Sequence, residues 1–230
     1  MRDLKRPIVA EFIGVFAVVF IGGATIMNGT VAHASVPLID VAVARGLILA
    51  LLVTATMNIS GGHLNPAVTI GITVTRRMSL PNAALYIVSQ CAGAVAAAFA
   101  LKALFPSDAA QAARLGGQWV AGNVSTMQAI GFEAIATFFL VFVMFGTIVD
   151  PRAPKVGGFA VGLTVCADML AIGPLTGASM NPARSFGPAF VSGIWEGHLI
   201  YWIGPVLGGV VAGLIYDWAF LRDRAEPAAG

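Results

Sequence analysis

Six apolar runs, at about 8–27, 38–59, 81–104, 127–149, 156–174 and 198–220, dominate this chain of 230 residues. Each is close to the roughly 20 residues that a helix needs to cross a bilayer. The chain is 58% hydrophobic and only 10% charged, where soluble domains carry about 25% charged residues. No soluble core of this length could bury so much apolar surface, so the chain reads as an all-α membrane protein. The first run carries Glu11 and no small-residue cleavage site, and so reads as a span rather than a removable signal. The thirteen Lys and Arg are scattered in ones, twos and threes, which excludes a basic nucleic-acid face. Three histidines far apart, with no nucleophile–base pair in evidence, argue against an enzyme, and no cofactor or metal site is expected. Cys91 and Cys166 both fall inside apolar runs and read as packing residues.

Two shorter stretches break the pattern. Ser-Gly-Gly-His-Leu-Asn-Pro-Ala, residues 60–67, is echoed by Thr-Gly-Ala-Ser-Met-Asn-Pro-Ala, residues 176–183. In each, Asn (Asn65, Asn181) is a strong helix cap, and Pro (Pro66, Pro182) suits the first helical position because its missing N–H would have no intrahelical partner. Ala67 and Ala183 continue the turn. The apolar runs that follow are too short to span. The pattern therefore predicts two re-entrant half-helices, one between spans two and three and one between spans five and six.

The halves repeat. Glu11-Phe-Ile-Gly is echoed by Glu133-Ala-Ile-Ala, Asn65 by Asn181, and Gln90-Cys-Ala-Gly by Pro205-Val-Leu-Gly, at offsets of 115 to 122 residues. Three spans per half is an odd number, so the second half must be inverted, which brings paired features together near the midplane. One channel domain covers residues 1–230, with a first repeat at about 7–104, a linking loop at 105–125 and a second repeat at 126–221. Small-xxx-small spacings at Gly204/Gly208, Gly209/Gly213 and Gly93/Ala97 let helix backbones approach closely. With the N-terminus cytoplasmic, nine of the thirteen basic residues lie inside: Arg2, Lys5, Arg6, Arg76, Arg77, Arg152, Lys155, Arg222 and Arg224. The positive-inside rule then places both termini in the cytoplasm.

The two Asn-Pro-Ala stretches, Glu11 and Glu133, and Tyr-Trp-Ile-Gly-Pro-Val-Leu-Gly-Gly at 201–209 together resemble the aquaporin (major intrinsic protein) family over nearly the whole chain. The resemblance implies six tilted helices, two half-helices meeting at the centre, a pore in each subunit and a homotetramer in the cell (plasma or inner) membrane, in contact with lipid. It implies a passive channel for water and other small neutral solutes (ammonia, urea, peroxide, glycerol) that excludes protons and ions. The carbonyls of residues 60–64 and 177–180 would accept hydrogen bonds from a file of permeating molecules. Asn65 and Asn181 would donate to them at the centre, where two positive helix ends face each other.

In the family, the Arg three residues after the second motif Asn, here Arg184, lines the outer constriction. Counting from the motifs, the other constriction positions are Arg45, Met169 and Ala178, which depart from the water-specific pattern of an aromatic residue, His and a small residue. Ala178 with a non-His residue at position 169 is more like the plant tonoplast group. Ser185, Ala189 and the pair Tyr201-Trp202 are instead on the water-channel side of the family. Arg45 has two readings: a second Arg in the constriction, or a side chain turned aside to snorkel or to pair with Asp168. Glu11 and Glu133 read as scaffold, each accepting backbone N–H groups of its own re-entrant loop, with a proton relay as the alternative. His63 is placed at the cytoplasmic vestibule. The rival functions are a channel mainly for a non-water neutral solute, and a secondary transporter, since inverted repeats with broken helices also build transporters.

Overall fold

The structure is a computed structural model that describes residues 4–221; Arg2, Arg222 and Arg224 lie outside the described residues. Six helices are long and apolar enough to cross a membrane. They are α1 (Lys5–Val31), α2 (Leu38–Ser60), α4 (Leu80–Leu104), α6 (Thr126–Met144, widening into a π-helical turn to Val149), α7 (Phe159–Thr176) and α9 (Ile200–Tyr216, also ending in a π-helical turn). Two short helices complete the set, α3 (Pro66–Val74) and α8 (Pro182–Ser192). At 1.5 Å per residue they reach about 14 and 17 Å, half of a bilayer's hydrocarbon. A six-residue helix, α5 (Ser107–Ala112), lies in the connection between the halves.

Both short helices start as their sequence dictates. Asn65 is extended, with φ −164°, and its Oδ1 accepts from the Ala67 N–H at 2.8 Å. Asn181 does the same for Ala183 and Arg184 at 3.1 and 3.2 Å. Each cap satisfies donors that a helix start leaves orphaned, a contribution of about 1 kcal/mol. In hydrocarbon, with no water to substitute, that contribution is hard to replace.

Packing follows a two-fold pattern. α1 lies on α4 as α6 lies on α9, and each half-helix packs on the last span of the other half: α3 on α9 and α8 on α4. These approaches run backbone to backbone. A Cβ on Gly71 of α3 would sit 2.7 Å from the Gly209 carbonyl oxygen, and one on Gly187 of α8 would strike the backbone of Ala94. Gly208 faces α6 so closely that any side chain would fall on the Ala134 carbonyl. Gly208→Val is therefore expected to destabilise the protein by about 1–3 kcal/mol or more, the usual scale of overpacking. Thermal unfolding in detergent, followed by size-exclusion chromatography, measures it. Large apolar side chains such as Leu51, Val88 and Ile135 point outward and are exposed, as a lipid-facing surface requires.

One end of the bundle is basic. Arg6 and Arg77 line the same surface cavity of about 880 Å³. Arg77 pairs with Asp217 at the end of α9, and Arg152 pairs with Asp150 and donates to the Phe220 carbonyl. The Arg152 side chain, hydrogen-bonded to Asp150, holds that carboxyl well below the usual carboxylate range.

Candidate functional site: a narrow cavity between two half-helices

Each re-entrant loop is built on one buried carboxylate. Glu11, in α1, accepts from the Ser60 hydroxyl (2.6 Å), the His63 N–H (3.0 Å), the Leu64 N–H (2.6 Å) and the Gln90 side chain (2.7 Å). Glu133, in α6, accepts from the Thr176 hydroxyl (2.7 Å), the Ser179 N–H (2.9 Å) and the Met180 N–H (2.7 Å). Both carboxylates are completely buried. The loops need such an acceptor because their backbone is not helical. Gly61, Gly62 and Leu64 have positive φ, as do Gly177, Ala178 and Met180 in the second loop. That conformation turns successive N–H groups toward the carboxylate and the carbonyls the other way.

The correspondence extends to further side-chain pairs. The Tyr86 hydroxyl donates to the Ser60 carbonyl at 3.0 Å, and the Tyr201 hydroxyl to the Thr176 carbonyl at 2.9 Å. His63 Nδ1 lies 3.1 Å from the Thr69 hydroxyl, and Ser179 bonds Ser185 in the equivalent place. The offsets of 115 and 116 residues that pair Gln90 with Pro205 and Asn65 with Asn181 also pair these residues, so that signal was available. Gln90 breaks the pattern. Its counterpart is Pro205, which has no side-chain donor, so Glu133 holds three partners where Glu11 holds four.

The two motifs meet. Asn65 Nδ2 donates to the Met180 carbonyl at 2.7 Å, and Asn181 Nδ2 donates to the Leu64 carbonyl at 2.8 Å. Each amide thus caps its own half-helix with its oxygen and braces the opposite loop with one N–H. The second N–H of each is left for the cavity. Of the nine loop carbonyls expected to face permeating molecules, four accept protein donors: Ser60, Leu64, Gly177 and Met180. Those of 61–63 and of Ala178 and Ser179 take none.

A cavity of about 30 Å³ runs beside this junction, bordered by His63, Asn65, Asn181, Ala178, Arg184 and Arg45, with Val18, Leu49 and Leu140 on its apolar side. That volume is room for about two waters. One wall offers hydrogen bonds and the other offers none, an arrangement that admits molecules in file without binding them tightly. A wider cavity of about 340 Å³ opens between Met169, Gly173, Gln118 and Trp119. Arg45 borders both cavities, alone among the described residues.

Arg45 is 4% exposed, and its Nη1 donates to the Gly177 carbonyl at 3.1 Å and to Met169 Sδ at 3.4 Å. It makes no ion pair with Asp168, whose Oδ2 is buried without a partner. Of the two readings of Arg45, the geometry is that of the side chain facing the cavity. Met169 borders the outer cavity and not the narrow one. Arg184 borders the narrow cavity, and its Nη2 reaches the Gly116 carbonyl at 3.4 Å. His63 borders the same narrow cavity, ring-to-ring with Tyr86 at 5.2 Å.

The connection between the halves does more than join them. Gly116 holds Arg184, Gln118 packs on Gly177, and Ala121 N–H donates to the Leu175 carbonyl at 2.9 Å. Arg114 pairs with Glu196 on the connection that follows α8. No periodic pattern marks these contacts in the sequence. Cys91 and Cys166 are unpaired thiols.

Comparison with known proteins agrees with this architecture. The model of the family described as Major intrinsic protein matches residues 1–216. The chain is 43% identical to Aquaporin TIP4-4 of Zea mays over 226 residues, covering 95% of this chain and 88% of that one. It is 42% identical to Probable aquaporin TIP4-1 of Oryza sativa subsp. japonica, over 96% and 89%. Among solved structures, the aquaglyceroporin from Plasmodium falciparum superposes with a TM-score of 0.82 at 25% identity, over 94% of this chain and 96% of that one. Six spanning helices, two half-helices meeting head to head and these matches lead to one conclusion: the chain is a multi-pass membrane protein of the major intrinsic protein family.

Proposed function

We infer that the protein is a passive channel for water, and that the narrow cavity is its pore. The observation that carries this reading is the meeting of Asn65 and Asn181, each with its oxygen spent on its own helix cap and one N–H spent on the opposite loop. Only donors then remain at the centre. A water molecule there presents its oxygen to both amides and its hydrogens outward, toward the carbonyls of the two loops. The file reverses orientation at that point and cannot relay a proton through it. Two half-helix N-termini add positive potential, about half an elementary charge each, which repels cations.

Arg45, Ala178 and Arg184 form the constriction, with Met169 supporting Arg45 from the outer side. The solute class is water together with small neutral molecules such as ammonia, urea, peroxide or glycerol, a reading supported by relatives named as an aquaporin and an aquaglyceroporin. Glu11 and Glu133 act as scaffold, since both oxygens of each carboxylate accept hydrogen bonds from its re-entrant loop. The subunit assembles as a homotetramer, each copy with its own pore. The chain divides into repeats at about 7–104 and 126–221 around a loop at 105–125, a division supported by the paired packing of the two halves. Arg6, Arg77 and Arg152 gather at one end, which by the positive-inside rule is cytoplasmic, together with both termini. This topology fits the plasma or inner membrane.

Osmotic light scattering of proteoliposomes, run in parallel with water, glycerol, urea and ammonia, tests the reading. Water flow that rises linearly with the osmotic gradient is expected. Saturable flux that depends on an ion gradient would instead establish the secondary transporter.

A further inference from the structure

The surface cavity at the basic end of the bundle lies where three spans begin or end. The start of α1 (Arg6), the end of α2 (Asn58 and Ile59) and the start of α4 (Ser79 and Asn82) border it. Its sides carry opposite polarity. On the α2 side, the N–H groups that would continue the helix are diverted: Gly62 donates to the Ser60 hydroxyl and His63 to Glu11. The carbonyls of Asn58 and Ile59 are left without a donor among the described residues, at the negative end of a 23-residue helix. On the α4 side, Pro81 has no N–H, the Ser79 side chain makes no cap, and the first backbone bond runs from Ala83 to the Ser79 carbonyl. The Leu80 and Asn82 N–H groups, the Ser79 hydroxyl and the Asn82 amide therefore have no acceptor among the described residues. Arg6 is exposed and has no hydrogen bond or ion pair among them. The Arg77 guanidinium, by contrast, is spent on Asp217 and the Thr75 carbonyl. No acidic side chain among the described residues borders the cavity.

Donors and a cation on one side, with bare carbonyls on the other, call for a ligand that carries both signs. The position narrows the class. Ile59, 51% exposed, and Leu80, 77% exposed, flank the cavity and belong to the lipid-facing surface at the ends of spans α2 and α4. We propose that the cavity holds the headgroup of a phosphatidylethanolamine molecule from the leaflet on the basic side. Its phosphate accepts from Arg6, the Ser79 hydroxyl and the free N–H groups of α4, and its ammonium donates to the Asn58 and Ile59 carbonyls. The acyl chains lie along Ile59 and Leu80. A choline headgroup has the same charges but no N–H, so both carbonyls would stay unsatisfied. A glycerol headgroup brings no cation to the negative helix end. The site shares no bordering residue with the narrow cavity, so it stands independently of the channel reading.

Thermal unfolding of the purified protein in detergent, with added lipids of identical acyl chains, tests the site, because a ligand of the folded state raises Tm. Phosphatidylethanolamine is expected to raise Tm saturably, with an apparent affinity about tenfold above those of phosphatidylcholine and phosphatidylglycerol. Adding one and then two methyl groups to the ammonium should weaken binding stepwise, since each removes a donor. Arg6→Ala should weaken phosphatidylethanolamine binding about tenfold and leave the lipid-free Tm unchanged, because Arg6 has no partner to lose. The methylation series needs only the wild type, so it decides the question even if that variant does not fold. Equal affinities for phosphatidylethanolamine and phosphatidylcholine overturn the site, as does phosphatidylglycerol binding as tightly. So does an affinity unchanged in Arg6→Ala. Soluble phosphoethanolamine that shifts Tm as far as the lipid at the same concentration would overturn the lipid as the occupant.

Discussion

Glu11→Leu is expected to remove the folded protein altogether. The substitution leaves four donors facing an apolar side chain: the Ser60 hydroxyl, the His63 and Leu64 N–H groups and the Gln90 amide. Each unsatisfied buried donor costs about 1–3 kcal/mol, so the sum approaches or exceeds the roughly 5–15 kcal/mol that holds a domain together. Glu133→Leu strands three donors and should be nearly as damaging. The conservative variants separate scaffold from proton relay. Glu133→Gln keeps one oxygen for Thr176 and Ser179 and turns its amide toward the Met180 N–H, so one donor is orphaned and about 1–3 kcal/mol is lost. That variant should fold, melt lower and conduct water normally. Fluorescence-detected size-exclusion chromatography after heating measures the loss. A Glu133→Gln protein with wild-type stability but abolished transport would point to the relay.

Arg45→Ala is expected to admit larger solutes. Among the described residues, Arg45 alone borders both the narrow and the wide cavity. A solute broader than water must push its guanidinium aside and break the bond to the Gly177 carbonyl. A hydrogen bond from a charged group contributes about 1.5–3 kcal/mol. Removing it should therefore raise urea and glycerol flux about tenfold to a hundredfold, with a much smaller change in water flow. Solute flux in proteoliposomes, normalised to water flow in the same vesicles, measures the ratio. An unchanged ratio would mean that the barrier lies elsewhere, with Arg184 and Ala178 the next candidates.

The six spans were legible because apolar length in a membrane protein leaves few alternatives; the observed ends differ from the expected ones by a few residues, as at the end of α1, Val31 against an expected 27. The half-helices were legible because capping is local chemistry: Asn accepts, Pro needs no partner, and both act within three residues. The carboxylates were legible through the repeat. The connection at 105–125 was not. Its function lies in contacts to residues far along the chain, such as Gly116 to Arg184 and Gln118 to Gly177, and neither composition nor periodicity encodes those. Arg45 was legible as an anomaly but not as a geometry. Its stem lies against Gly22 of α1, where a Cβ would come within 3.2 Å of Nε, and that contact directs the guanidinium to Gly177. The same sequence with a larger residue at position 22 would have sent it elsewhere.

The central claim is that only donors face the middle of the pore, so water passes and protons do not. Simultaneous measurement of osmotic water flow and proton flux, with a pH-sensitive dye sealed in the same proteoliposomes, tests it most directly. Water flow well above that of empty vesicles, with proton flux no higher than theirs, is the predicted result. Proton flux that rises in step with water flow would contradict the account.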